Sequence, residues 1–182
     1  MNAGQGPIRH LVNVRKLPRK GRDEAYEADA EARERIARHL GVPLVHRFRG
    51  DAEVVPWRGE GVRVTGRISA DMAQECVVTT DLVDTRVDEA FDALFVPEGS
   101  SLAPRNEKDA QLMVDPEGDD PPEAFAGDML DLGAVWMEFL ALAVDPFPRK
   151  PGAELEHGRE DDRISPFAAL AGLAANTNDR DR

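Results

Sequence analysis

Cysteine and tyrosine occur once each in this chain, at Cys76 and Tyr26, and aromatic residues make up only 5% of it. A single cysteine excludes an internal disulfide and any zinc site built from several cysteines. The four histidines, His10, His39, His46 and His157, stand apart from one another and from Cys76, without the i, i+4 spacing of a paired metal site. No Gly-rich phosphate loop is present. No apolar run approaches the roughly 20 residues that cross a bilayer. The stretch Met1 to Pro7 lacks the charged-then-apolar pattern of a signal peptide. The expectation is therefore a cytoplasmic protein with no cofactor and no membrane or DNA partner.

Positive charge is also in short supply, and its distribution is uneven. Residues 1–70 hold 14 Lys/Arg against 9 Asp/Glu, a net of +5, whereas residues 71–182 hold 9 against 26, a net of −17. The early excess lies at Arg15, Lys16, Arg19, Lys20 and Arg22, the residues expected to touch RNA if any do. Strand residues Arg47, Arg49, Arg63 and Arg67 would extend such a surface. The acidic remainder would repel RNA and suits a basic protein instead.

What is present is enough for a core, since 41% of the residues are apolar. Ile8–Val14 reads as a strand, and Lys16–Gly21 as a loop. Asp23 is placed to cap a helix ending near Leu40, with Gly41 and Pro43 closing it. From Leu44 the period changes to two. Val62, Val64, Gly66, Ile68, Ala70 and Met72 alternate with Arg63, Thr65, Arg67, Ser69 and Asp71, and a similar pattern runs through Val83–Phe95. Gln111–Val114 reads as one more short strand. The carboxylates Asp115, Glu117, Asp119 and Asp120 are interrupted by proline and lack the offsets of a calcium loop. Asp128–Val144 returns to helical spacing, with Trp136 and Phe139 on its apolar face. The expected fold is α+β: an antiparallel sheet of about five or six strands with two packed helices, in a single domain over residues 8–148. Residues 149–182 read as a charged linker with a mobile, short apolar C-terminal helix.

Three stretches taken in order resemble a known family. These are Val64-Thr-Gly-Arg-Ile-Ser-Ala-Asp-Met-Ala-Gln-Glu-Cys76, the run from Asp131-Leu132 through Ala141-Leu-Ala-Val-Asp-Pro-Phe-Pro-Arg-Lys-Pro-Gly-Ala153, and Ser165-Pro-Phe-Ala-Ala-Leu-Ala-Gly-Leu173. Together they resemble the large ribosomal RNA subunit accumulation proteins of the YceD type, especially their alphaproteobacterial branch. The resemblance implies a non-catalytic factor for 23S ribosomal RNA accumulation, bound to a ribosomal protein or RNA of the large-subunit precursor. Thr79 stands where the family often has a second cysteine, so Cys76 alone can neither chelate a metal nor form a redox pair within the chain. No catalytic residue set comes with the resemblance. Phe147-Pro148 and Ser165-Pro166-Phe167 with Leu170 lie within the resembling stretches and are the candidate docking elements. Phe167 has the alternative of covering one end of the sheet. Direct RNA binding through the early basic segment is the alternative function.

Overall fold

The computed structural model describes residues 6–102 and 121–154. In chain order the elements are β1 (Leu11–Asn13), a 3-10 turn (Val14–Lys16), β2 (Arg22–Glu27), α1 (Ala30–Leu40), β3 (Leu44–Trp57), β4 (Gly61–Glu75), β5 (Leu82–Pro97), β6 (Glu123–Phe125), β7 (Met129–Asp131) and α2 (Leu132–Ala143). The main sheet has the order β2-β3-β4-β5-β6. All its pairings are antiparallel except β5 with β6. β1 and β7 form a separate antiparallel ribbon. The α+β class, the antiparallel sheet and the two helices are those expected. The expected strand Gln111–Val114 and the C-terminal helix lie outside the described residues. The described residues up to Pro151 belong to one compact unit.

Alternation in β3, β4 and β5 does what period two requires. Val62, Val64, Ile68, Ala70 and Met72 are buried on one face, and Arg63 and Arg67 are exposed on the other. In β3 the inward residues are Val45, Phe48, Gly50, Ala52 and Val54, because the register shifts between Val45 and Arg47. That bulge leaves His46 exposed, so the run expected from Leu44 through His46 to Phe48 does not hold one face. α2 covers the inner face. Its Trp136 is fully buried and Phe139 stacks on Phe91 with centroids 4.8 Å apart. Trp136 fits only because Gly50 lies beneath it, where a Cβ would come within 2.6 Å of the indole. Gly66 marks a close approach of backbones, since a Cβ there would sit 2.2 Å from the Asp51 carbonyl oxygen.

Two boundaries differ from the sequence reading. The helix expected from Asp23 begins only at Ala30, capped by Asp29, whose carboxylate accepts the Ala32 N–H at 2.8 Å. Residues Arg22–Glu27 pair instead with Arg49–Val54 as an edge strand. The reason is local: Glu24 and Tyr26 turn inward while Asp23, Ala25 and Glu27 are exposed, a period of two rather than the helical one. The second helix likewise starts four residues late. Asp131 accepts N–H bonds from Gly133 (3.0 Å) and His10 (2.9 Å), so it caps α2 and ties it to the start of β1. Met129–Asp131, read as its first turn, is strand β7.

Candidate functional site

The β4–β5 hairpin turns through Cys76–Asp81. The Cys76 N–H donates to the Asp81 carbonyl at 2.8 Å, and the Thr80 N–H donates to the Cys76 carbonyl at 2.9 Å. The Cys76 side chain is 1% exposed. Its sulfur accepts backbone N–H groups from Lys150 (3.3 Å) and Val78 (3.4 Å). Backbone N–H groups, that of Lys150 above all, lower the thiol pKa to about 6 against the opposing effect of burial. The thiolate is thus the favoured form of a sulfur enclosed by N–H donors. Among the described residues no group of three or more His, Cys, Asp or Glu could hold a metal. Thr79 donates its hydroxyl to the Asp81 carboxylate at 3.1 Å.

The chain leaving α2 is strapped onto this turn. Gln74, buried, donates its side-chain amide to the Asp145 carbonyl at 2.9 Å and accepts the Thr85 hydroxyl at 2.8 Å. The Asp145 carboxylate accepts the Phe147 N–H at 2.8 Å. The Pro148 carbonyl accepts the Val77 N–H at 3.0 Å, and Pro148 itself is buried. The Lys150 ammonium meets the Asp81 carboxylate at 3.0 Å and holds its pKa below the usual carboxylate range. Between these fixed points Phe147 stands 68% exposed, and Val77, bonded to the same strap, is half exposed. An aromatic ring held in water by an ordered backbone has the form of an interface anchor, because little further ordering is needed when it binds. Phe147 was singled out from sequence; Gln74, Asp81, Asp145 and Lys150 were not. Ser165, Pro166, Phe167 and Leu170 lie outside the described residues.

The basic segment is placed differently. Arg15 pairs with Asp128 at 2.6 Å, and Arg22 is bound by Glu24, which also accepts from His10 at 2.8 Å. Lys16, Arg19 and Lys20 are exposed on the loop before β2 and form no ion pair among the described residues. The arginines of the open sheet face are mostly engaged by their own neighbours. Arg49 is bidentate to Asp51 at 2.8 Å, Arg63 bonds Asp92 at 2.9 Å and Arg67 bonds Asp88 at 2.9 Å. Of the histidines, His46 lies 3.4 Å from Asp84 and His39 is exposed on α1. No helix of the described residues is long and apolar enough to cross a membrane.

Comparison with known proteins adds one match. The model of the family described as large ribosomal RNA subunit accumulation protein YceD fits residues 64–174. The matched span takes in most of β4, all of β5, the Cys76 turn, α2 and the strap carrying Phe147, and it leaves out β1, the basic loop, β2, α1 and β3. No curated protein and no solved structure matches the chain.

Proposed function

The chain belongs to the large ribosomal RNA subunit accumulation protein family of the YceD type, and from that premise we propose that it supports accumulation of 23S ribosomal RNA as a non-catalytic, cytoplasmic docking factor. It engages a component of the large-subunit precursor through Phe147 and its neighbour Pro148, and through the downstream Ser165-Pro166-Phe167 and Leu170. The observation that carries this reading is the pinned exposure of Phe147: 68% of it faces water while the backbone on both sides is hydrogen-bonded to the β4–β5 hairpin. That arrangement lies inside the span matched by the family. An exposed ring contributes little to folding and a great deal to binding when it enters a partner's pocket. The test is complementation of a deletion strain by Phe147→Ala. The expected result is an unchanged melting temperature together with a fall in large-subunit relative to small-subunit ribosomal RNA. Full complementation by the variant counts against the reading.

A second reading, direct RNA contact through Arg15, Lys16, Arg19, Lys20 and Arg22, draws support from the exposed, unpaired cations Lys16, Arg19 and Lys20. Against it stand the ion pairs already held by Arg15 and Arg22, and the position of the whole segment outside the matched span.

A further inference from the structure

β5 is paired with β4 from Leu82 to Phe95 without a register shift. On its other side β6 meets only Phe95–Pro97. From Leu82 to Leu94 that second edge has no strand partner among the described residues. A strand edge presents a row of N–H and C=O groups that accept another chain, and soluble proteins usually blunt it with prolines, lysines, bulges or brevity. The opposite edge, β2, is blunted by its length of six residues. Leu82–Leu94 has no proline, no lysine and no bulge. Asp88, Glu89 and Ala90 are exposed in succession, so the strand is open on both faces midway along this edge.

The charge of the edge indicates what fits it. Leu82–Leu94 carries four carboxylates, Asp84, Asp88, Glu89 and Asp92, against one arginine, Arg86. Asp88 and Asp92 share their charge with Arg67 and Arg63 of β4, and Asp84 lies 3.4 Å from His46 of β3. Glu89 meets no cation among the described residues. We propose that the Leu82–Leu94 edge takes an extended, basic segment of a partner protein as an additional strand. The ladder supplies main-chain hydrogen bonds, and lysines or arginines at alternate positions of the guest face Asp84, Asp88 and Asp92 on one side or Glu89 on the other. A nucleic acid has no peptide groups for the ladder, and its phosphates meet carboxylates. This surface is separate from Phe147, so the inference stands or falls independently of docking there.

The experiment uses the full chain and a labelled peptide of about ten residues alternating lysine and valine. A twin peptide with alternate amides N-methylated keeps the charge and loses the ladder. The expected results are binding of the parent peptide, slowed hydrogen exchange of amides within Leu82–Leu94, and binding by the twin weaker by about tenfold or more. Glu89→Lys combined with Ala90→Lys, both at exposed positions, is expected to weaken the parent peptide to a similar degree with an unchanged melting temperature. Four results overturn the proposal: no binding of the parent, equal binding of the twin, protection elsewhere in the chain, or edge amides already slow to exchange in the free protein. Displacement of the peptide by a short uridine oligomer that protects the same amides would also overturn it, in favour of a nucleic-acid surface.

Discussion

Cys76 is a residue whose chemistry is set by its neighbours' backbone. The thiol's pKa of about 6 in the folded protein lies below the ordinary value of about 8.5, because the Lys150 N–H and Thr79 favour the thiolate. Folding therefore favours the deprotonated form. The stability this contributes is fully present above the ordinary thiol pKa and is lost as pH falls through about 6. The melting temperature of the native chain is expected to rise, relative to Cys76→Ser, between those two values. Parallel melting curves across that range would show that the sulfur is not ionised in the turn. Gly50 is governed by shape. With a Cβ 2.6 Å from the Trp136 ring, Gly50→Ala forces the indole or β3 to move, an overpacking cost of about 1–3 kcal/mol. Thermal or denaturant unfolding measures this, and a neutral substitution would mean that α2 shifts freely over the sheet.

At the scale of elements, the sheet was the legible part. Val62–Met72 and Val83–Phe95 alternate so regularly that both strands and their faces are legible in the sequence, whereas the turn between them at Cys76–Asp81 is not. The termini of the helices were less legible, because an acidic segment such as Asp23–Glu27 satisfies both a helix start and a charged edge strand. Pairing with β3 decides between them, and pairing is not written in the local sequence. The correction has a direct check. Asp29→Ala removes the cap of α1 and is expected to cost about 1 kcal/mol, whereas Asp23→Ala, exposed on β2, is expected to cost less. The reverse order in denaturant melts would restore the longer helix. The strap after α2 shows the same division: Phe147 could be singled out from its Pro-Phe setting, but Gln74 and Asp81, which hold the strap at Asp145 and Lys150, lie far away in sequence and reach it only through the fold.

At the scale of the whole molecule the chain stays acidic, with a net charge of −12, yet the arginines of the open sheet face are matched by aspartates of the same face. Arg49, Arg63, Arg67 and Arg86 each have an aspartate within reach on the open face. Exposed pairs of this kind contribute roughly 0–1 kcal/mol each, but they leave few cations for phosphate. A triple change of Lys16, Arg19 and Lys20 to alanine is therefore expected to leave capture of large-subunit components from lysate unchanged, with or without ribonuclease. Loss of capture in the triple variant, with a steep dependence on salt, would transfer the function to the basic loop.

The ribbon of β1 with β7 has a consequence for the order of events while the chain is being made. Leu11–Asn13 finds its partner only at Met129–Asp131, and the Leu132 N–H closes onto the His10 carbonyl. Trp136, which seals the sheet over Gly50, comes later still. A nascent chain that has extended only through β5 already holds the long antiparallel hairpins, yet their apolar face is bare and the first strand is idle. Completion waits for the last helix to leave the exit tunnel, so a chain stopped before Met129 is a substrate for chaperones and proteases rather than a smaller version of the domain.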